Sequence, residues 1–84
     1  MTQSLWDLER GQTGIIQRFD DGLPESYRNR LTELGFYPGE RVACLQAPAL
    51  GAPRVYRVSN STFALDDDIA RCLLLRSADV PGSS

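Results

Sequence analysis

The chain has 84 residues, 42% hydrophobic and 24% charged, with a net charge of −2. That balance is ordinarily globular and leaves room for one small domain and no second one. The slight acidic surplus argues against a general nucleic-acid binder, and no apolar run reaches the about 18 residues that a membrane span needs.

All nine basic residues are Arg, and there is no His, so the commonest general base and metal ligand is missing. The first residues, Met1 to Asp7, have neither a basic start nor an apolar core and do not read as a secretory signal. A core this small implies a stability on the order of 3–6 kcal/mol.

In chain order, Leu5 and Leu8 are expected in the core, with Asp7 and Glu9 outside. Gly11 and Gly14 punctuate a turn, and a strand follows over residues 13–19. Ile15 and Phe19 fall on one face and Ile16 on the other, which predicts a bulge or a strand covered on both sides. Pro24 suits the first position of a helix of about ten residues. Tyr27, Leu31 and Leu34, spaced i, i+4, i+7, form the apolar stripe expected to pack on a sheet.

Gly35 sits where a left-handed residue ends a helix, with Leu31 and Phe36 placed for the apolar contact of a Schellman cap. Tyr37-Pro38-Gly39-Glu40 has the residues of a type II turn. Strands are predicted over 41–46, 54–58, 62–65 and 71–76, with a tight turn at 59–61. A single helical turn follows Asp66-Asp67-Asp68, because acids favour a helix start.

About five short strands, one short helix and a helical turn must hide their edges, and closing into a small β-barrel does so, with the helix plugging one end. Residues 79–84 read as a disordered tail to a domain spanning 1–78.

The candidate sites are few. A nucleophile needs a neighbouring base, and neither His nor Lys is present. Cys44 and Cys72 fall on predicted strands and read as buried reduced thiols, and Gly11-x-x-Gly14 lacks a phosphate-loop ending. No catalytic or metal-binding residue is assigned and no cofactor is called for; Asp66–Asp68 reads as a helix cap on a solvated face.

Leu50, between Pro48 and Pro53, is either an exposed anchor for a partner or a cover for the barrel mouth. Tyr37 is free to touch the same partner, so one face built from Tyr37, Pro48, Leu50 and Pro53 is expected to dock. An acidic sheet edge could pair with a second copy of the chain.

The series Leu5-x-x-Leu8-x-x-Gly11-x-x-Gly14, Tyr27-Arg28-x-Arg30-Leu31-x-x-Leu34-Gly35-Phe36-x-Pro38-Gly39, Ala47-Pro48, Leu50-Gly51-x-Pro53 and Leu65 with Ala70 resembles the ferrous iron transport protein A (FeoA) family over about residues 5–76. The resemblance implies an SH3-like barrel, cytoplasmic and non-catalytic. It implies contact with the cytosolic part of a G-protein-linked ferrous iron permease, FeoB. A related barrel forms the C-terminal module of metal-dependent repressors, so a peptide-binding regulatory module is the alternative. The sequence departs from the family pattern in one extra loop residue with Ala52 in place of an acid, and in Leu65-Asp-Asp-Asp-Ile-Ala70 where the family has Leu-Arg-x-x-x-Ala, so that Asp66 replaces a base.

Overall fold

The path of the chain is set by the corner between its helix and the strand that follows. The computed structural model describes residues 3–76. The helix α1 (Glu25–Leu34) ends at Gly35, which adopts φ 114°. The Gly35 amide donates to Thr32 O (3.1 Å) and the Phe36 amide to Leu31 O (2.9 Å), the bond pair of a Schellman cap. Leu31 and Phe36 are both buried. The Glu40 amide then donates to Tyr37 O (3.1 Å) with Gly39 at φ 94°, closing the expected turn around Pro38. Leu34 is half-buried against the core.

The remaining elements are β1 (Gln3–Ser4), a 3₁₀ turn (Leu5–Asp7), β2 (Thr13–Phe19), β3 (Arg41–Gln46), β4 (Arg54–Val58), β5 (Ser61–Leu65), α2 (Asp67–Ala70) and β6 (Leu73–Leu75). The strands make one antiparallel sheet in the order β1-β6-β2-β3-β4-β5. The architecture is mainly β, as expected, with six strands rather than about five. The additional strand, β1, is two residues long, too short to show a pattern, and exists through its pairing with Leu74 and Leu75.

Strand β2 is bulged between Ile16 and Arg18 where it meets β6, and Ile16 enters the core. The two residues joining β4 to β5, Ser59 and Asn60, both have positive φ (51° and 67°), the backbone of a type I′ hairpin.

Several expectations are corrected. The helix starts at Glu25, with Pro24 (ψ 147°) as its N-cap, one residue later than predicted. Tyr27 leaves the core stripe and is 51% exposed; Leu31 is the one fully buried residue of α1. The apolar anchoring falls to Leu23 before the helix and Phe36 after it, so the first turn of α1 needs no core contact of its own. The start of α1 shares a groove with α2, and Gly35 at its other end approaches Ser59 at the hairpin tip.

Finally, the outermost strands β1 and β5 carry no acid, so there is no acidic edge among the described residues. The last strand is shorter than expected, with Arg71 and Cys72 in the turn before it. The predicted tail at 79–84 and the domain end at 78 lie outside the described residues.

A Cβ on Gly35 would stand 3.0 Å from Ser59 Oγ, whereas one on Gly39 would meet nothing within 4 Å. Gly39→Ala is expected to cost about 1–2 kcal/mol from its backbone alone. Gly35→Ala should cost about 1 kcal/mol more, because crowding is added to strain. Urea unfolding of the two variants tests this, and equal losses would show that the approach to Ser59 is not limiting.

Candidate functional site

Among the described residues, the seven between β3 and β4 carry the most exposed large apolar side chain, Leu50. Ala47 at the start of the loop packs against the core, while Pro48 and Pro53 are exposed. Between them Leu50 and Gly51 both take positive φ (67° and 74°), which turns the Leu50 side chain outward. Leu50 is fully exposed and does not fold back over the barrel mouth. Full burial of a leucine is worth about 1.5–3 kcal/mol, so this side chain holds an interaction unused within the monomer.

Tyr37 is also solvent-facing (40% exposed) but stands elsewhere. It precedes β3, near the hairpin tip, where Glu40 accepts a hydrogen bond from Ser59 Oγ (3.3 Å). The Leu50 loop follows β3. Six strand residues span about 20 Å, so the structure does not bring Tyr37 together with Pro48, Leu50 and Pro53. The structural residues Leu31, Leu34, Gly35, Phe36, Pro38 and Gly39 gather at the helix-to-strand corner.

The two thiols are free. Cys44 is buried on β3, its Sγ 3.6 Å from Gln46 O, and burial pushes its pKa up. Cys72 is half-buried in a turn, not on a strand, and donates to Asp68 O (3.4 Å). Burial, then the charges of Asp20 and Asp68, raise it too. Both thiols are thus held away from the thiolate form that attacks.

Asp66 occupies the N-cap of α2 but makes no capping hydrogen bond, so the cap expected of the acid triplet is not formed through its side chain. Asp67 pairs with Arg71 (3.7 Å). Among the described residues, no three acidic or sulfur side chains gather around a common metal position, and no helix is long and apolar enough to cross a membrane.

The sequence reading missed the contact that holds this end of the barrel together. Arg54, at the start of β4, donates through Nη1 to Trp6 O and to Leu8 O (2.9 Å), and its guanidinium lies 4.3 Å from the centroid of the Trp6 ring. Two residues on, Tyr56 Oη donates to Leu5 O (3.0 Å) in a buried site. Inward-facing side chains at alternate positions of β4 thereby grip the N-terminal turn. Alternation along β4 carried the signal for their direction, but nothing local named their acceptors 46 to 51 residues away.

A six-stranded antiparallel sheet gripped in this way defines a small SH3-like domain. A family model described as the FeoA domain matches residues 3–77, and the chain belongs to the FeoA family.

Solved structures agree. FeoA of Stenotrophomonas maltophilia, described as a procaryotic SH3 domain protein and crystallised with zinc, is 27% identical, with 90% of this chain and 92% of that one covered at a TM-score of 0.80. An iron uptake regulatory protein (FeoA) is 24% identical over 90% of this chain and 97% of that one, TM-score 0.77. A manganese-dependent transcriptional repressor shares the fold at 20% identity over 88% of this chain and 40% of its own, TM-score 0.75. No curated protein matches the chain.

Burial pushes the Tyr56 phenol up to about 12 from its ordinary value near 10. The folded protein therefore holds this proton more tightly than the unfolded chain. That contribution is fully present below about pH 10 and is lost as the pH rises towards 12. Tyr56→Phe should cost about 1 kcal/mol at neutral pH, because the Leu5 carbonyl loses one of its two donors and keeps only the Leu8 amide. The variant should also show a shallower loss of stability above about pH 10 in urea titrations. The same alkaline slope in both proteins would place the titration elsewhere.

Proposed function

We propose that this protein is a non-catalytic cytoplasmic accessory of ferrous iron uptake that binds the cytosolic part of a FeoB-like, G-protein-linked permease. The observation that carries the reading is the Leu50 loop. It is a short segment bounded by Pro48 and Pro53 that holds one apolar side chain fully in solvent. Such a side chain has no role in the monomer and is suited to anchor a partner pocket.

Membership of the FeoA family supports the transport setting. The Stenotrophomonas maltophilia relative is described as a candidate activating factor for bacterial ferrous iron transport. Tyr37 provides a second contact at the far end of β3 when the partner is large enough to span both.

The alternative is a peptide-binding regulatory module related to the repressor barrel. It has the fold likeness in its favour, but a DNA-reading pair of helices is absent from the described residues, which hold one ten-residue helix and one of four.

Co-purification with the permease encoded in the same genome separates these readings. Leu50→Asp should lower capture at least about tenfold, because a charge cannot be buried in an apolar pocket without a partner. Tyr37→Ala should lower it less. Capture unchanged by both substitutions would move the interface to another surface.

A further inference from the structure

The first turn of α1 and the four-residue α2 leave an open groove of about 460 Å³ between them. Its floor is apolar: Leu23 is buried, and Ile69 and Cys72 are half-buried. Pro24 and the exposed ring of Tyr27 form one wall, and Asp66 and Asp68 the other. This explains the side chain that the helical stripe would send inward. At that point of α1 the neighbour is the groove and not the barrel core.

The rim is acidic and not internally neutralised. Asp67 is taken by Arg71, on the side of α2 where Arg71 approaches the Trp6 ring (5.7 Å). Asp66 makes no cap bond, and among the described residues neither it nor Asp68 has an ion-pair partner. Asp20 does not line the groove, and its carboxylate accepts from the Gly22 amide (2.9 Å). Arg28, on this part of α1, donates to Leu23 O (3.3 Å) and does not line the groove.

We propose that this groove docks an extended basic segment of a partner protein, which sets an aliphatic side chain against Leu23, Tyr27 and Ile69 and an arginine or lysine against Asp66 and Asp68. Charge complementarity selects the occupant. An acidic segment would be repelled by the rim, and a neutral one would leave two carboxylates unpaired beside the apolar floor. The site goes beyond the Leu50 reading and stands on a different set of residues.

The test uses the full ¹⁵N-labelled chain and a blocked heptapeptide of alternating arginine and leucine, with its glutamate–leucine counterpart as control. Titration of the basic peptide should move amide signals at residues 23–27 and 66–72. The double variant Asp66→Asn, Asp68→Asn should bind it about tenfold more weakly, Tyr27→Ala several-fold more weakly, and added salt should weaken the wild type.

All substituted side chains are exposed, and the spectra of the variants report whether the fold is kept. Signals moving at the 47–53 loop instead, equal binding by the double variant, or equal binding of the glutamate peptide would each overturn the proposal. Leu50→Asp should leave peptide binding unchanged, so failure of permease capture and failure of the groove are read separately.

Discussion

The guanidinium of Arg54 is the constraint on which the barrel depends. The sheet is linear in its hydrogen bonding, with β1 and β5 at its two ends, and no backbone ladder links β4 to the N-terminal turn. Arg54 supplies that link by satisfying two carbonyls of the turn and stacking on Trp6. Its Nε is buried without a partner, a desolvation cost that the paired carbonyls and the ring contact offset. Tyr56 repeats the connection at Leu5, one step deeper in the core. The N-terminal segment is held by the burial of Leu5 and Leu8 and by the pairing of β1 with β6, and these directed bonds add the link to β4.

The same clasp explains where the exposed surfaces lie. Arg54 pairs with Leu65, so the Leu50 loop and α2 leave the sheet at one end of the barrel. That end also receives the N-terminal turn and, through Leu23 and Pro24, the start of α1. Four chain segments therefore converge on a rigid base. An exposed leucine or an acidic groove there can meet a partner without first being ordered, and ordering is the main entropic cost of docking a loop. Tyr37, at the hairpin end, belongs to a different surface.

What was legible in the sequence was local. Gly35, Pro38 and Gly39 each answer to the backbone angles of one or two residues, so their order alone predicts the cap and the turn. Strands of five to seven residues, such as β2 and β4, were readable from their β-branched and aromatic residues and the turn signals that bound them. What escaped depends on distant partners. β1 is a strand only because β6 lies beside it, and Tyr27 faces a groove only because α2 does. Arg54 looks like any strand arginine until Trp6 and Leu8 are placed beneath it. Leu50 was the intermediate case, since its flanking prolines marked a stiff loop but not the sign of φ that turns the side chain out.

The most direct measurement is native-state hydrogen exchange of the Leu8 amide, which bonds to Leu5 O within the clasped turn, compared with the Cys44 amide, which bonds to Gln12 O from the central strand. If the turn is integrated into the barrel through Arg54 and Tyr56, both amides open with the same free energy, that of global unfolding. Leu8 exchanging near the rate of a free peptide while Cys44 stays protected would mean that the turn opens on its own, and the account of the barrel as one gripped unit would be wrong.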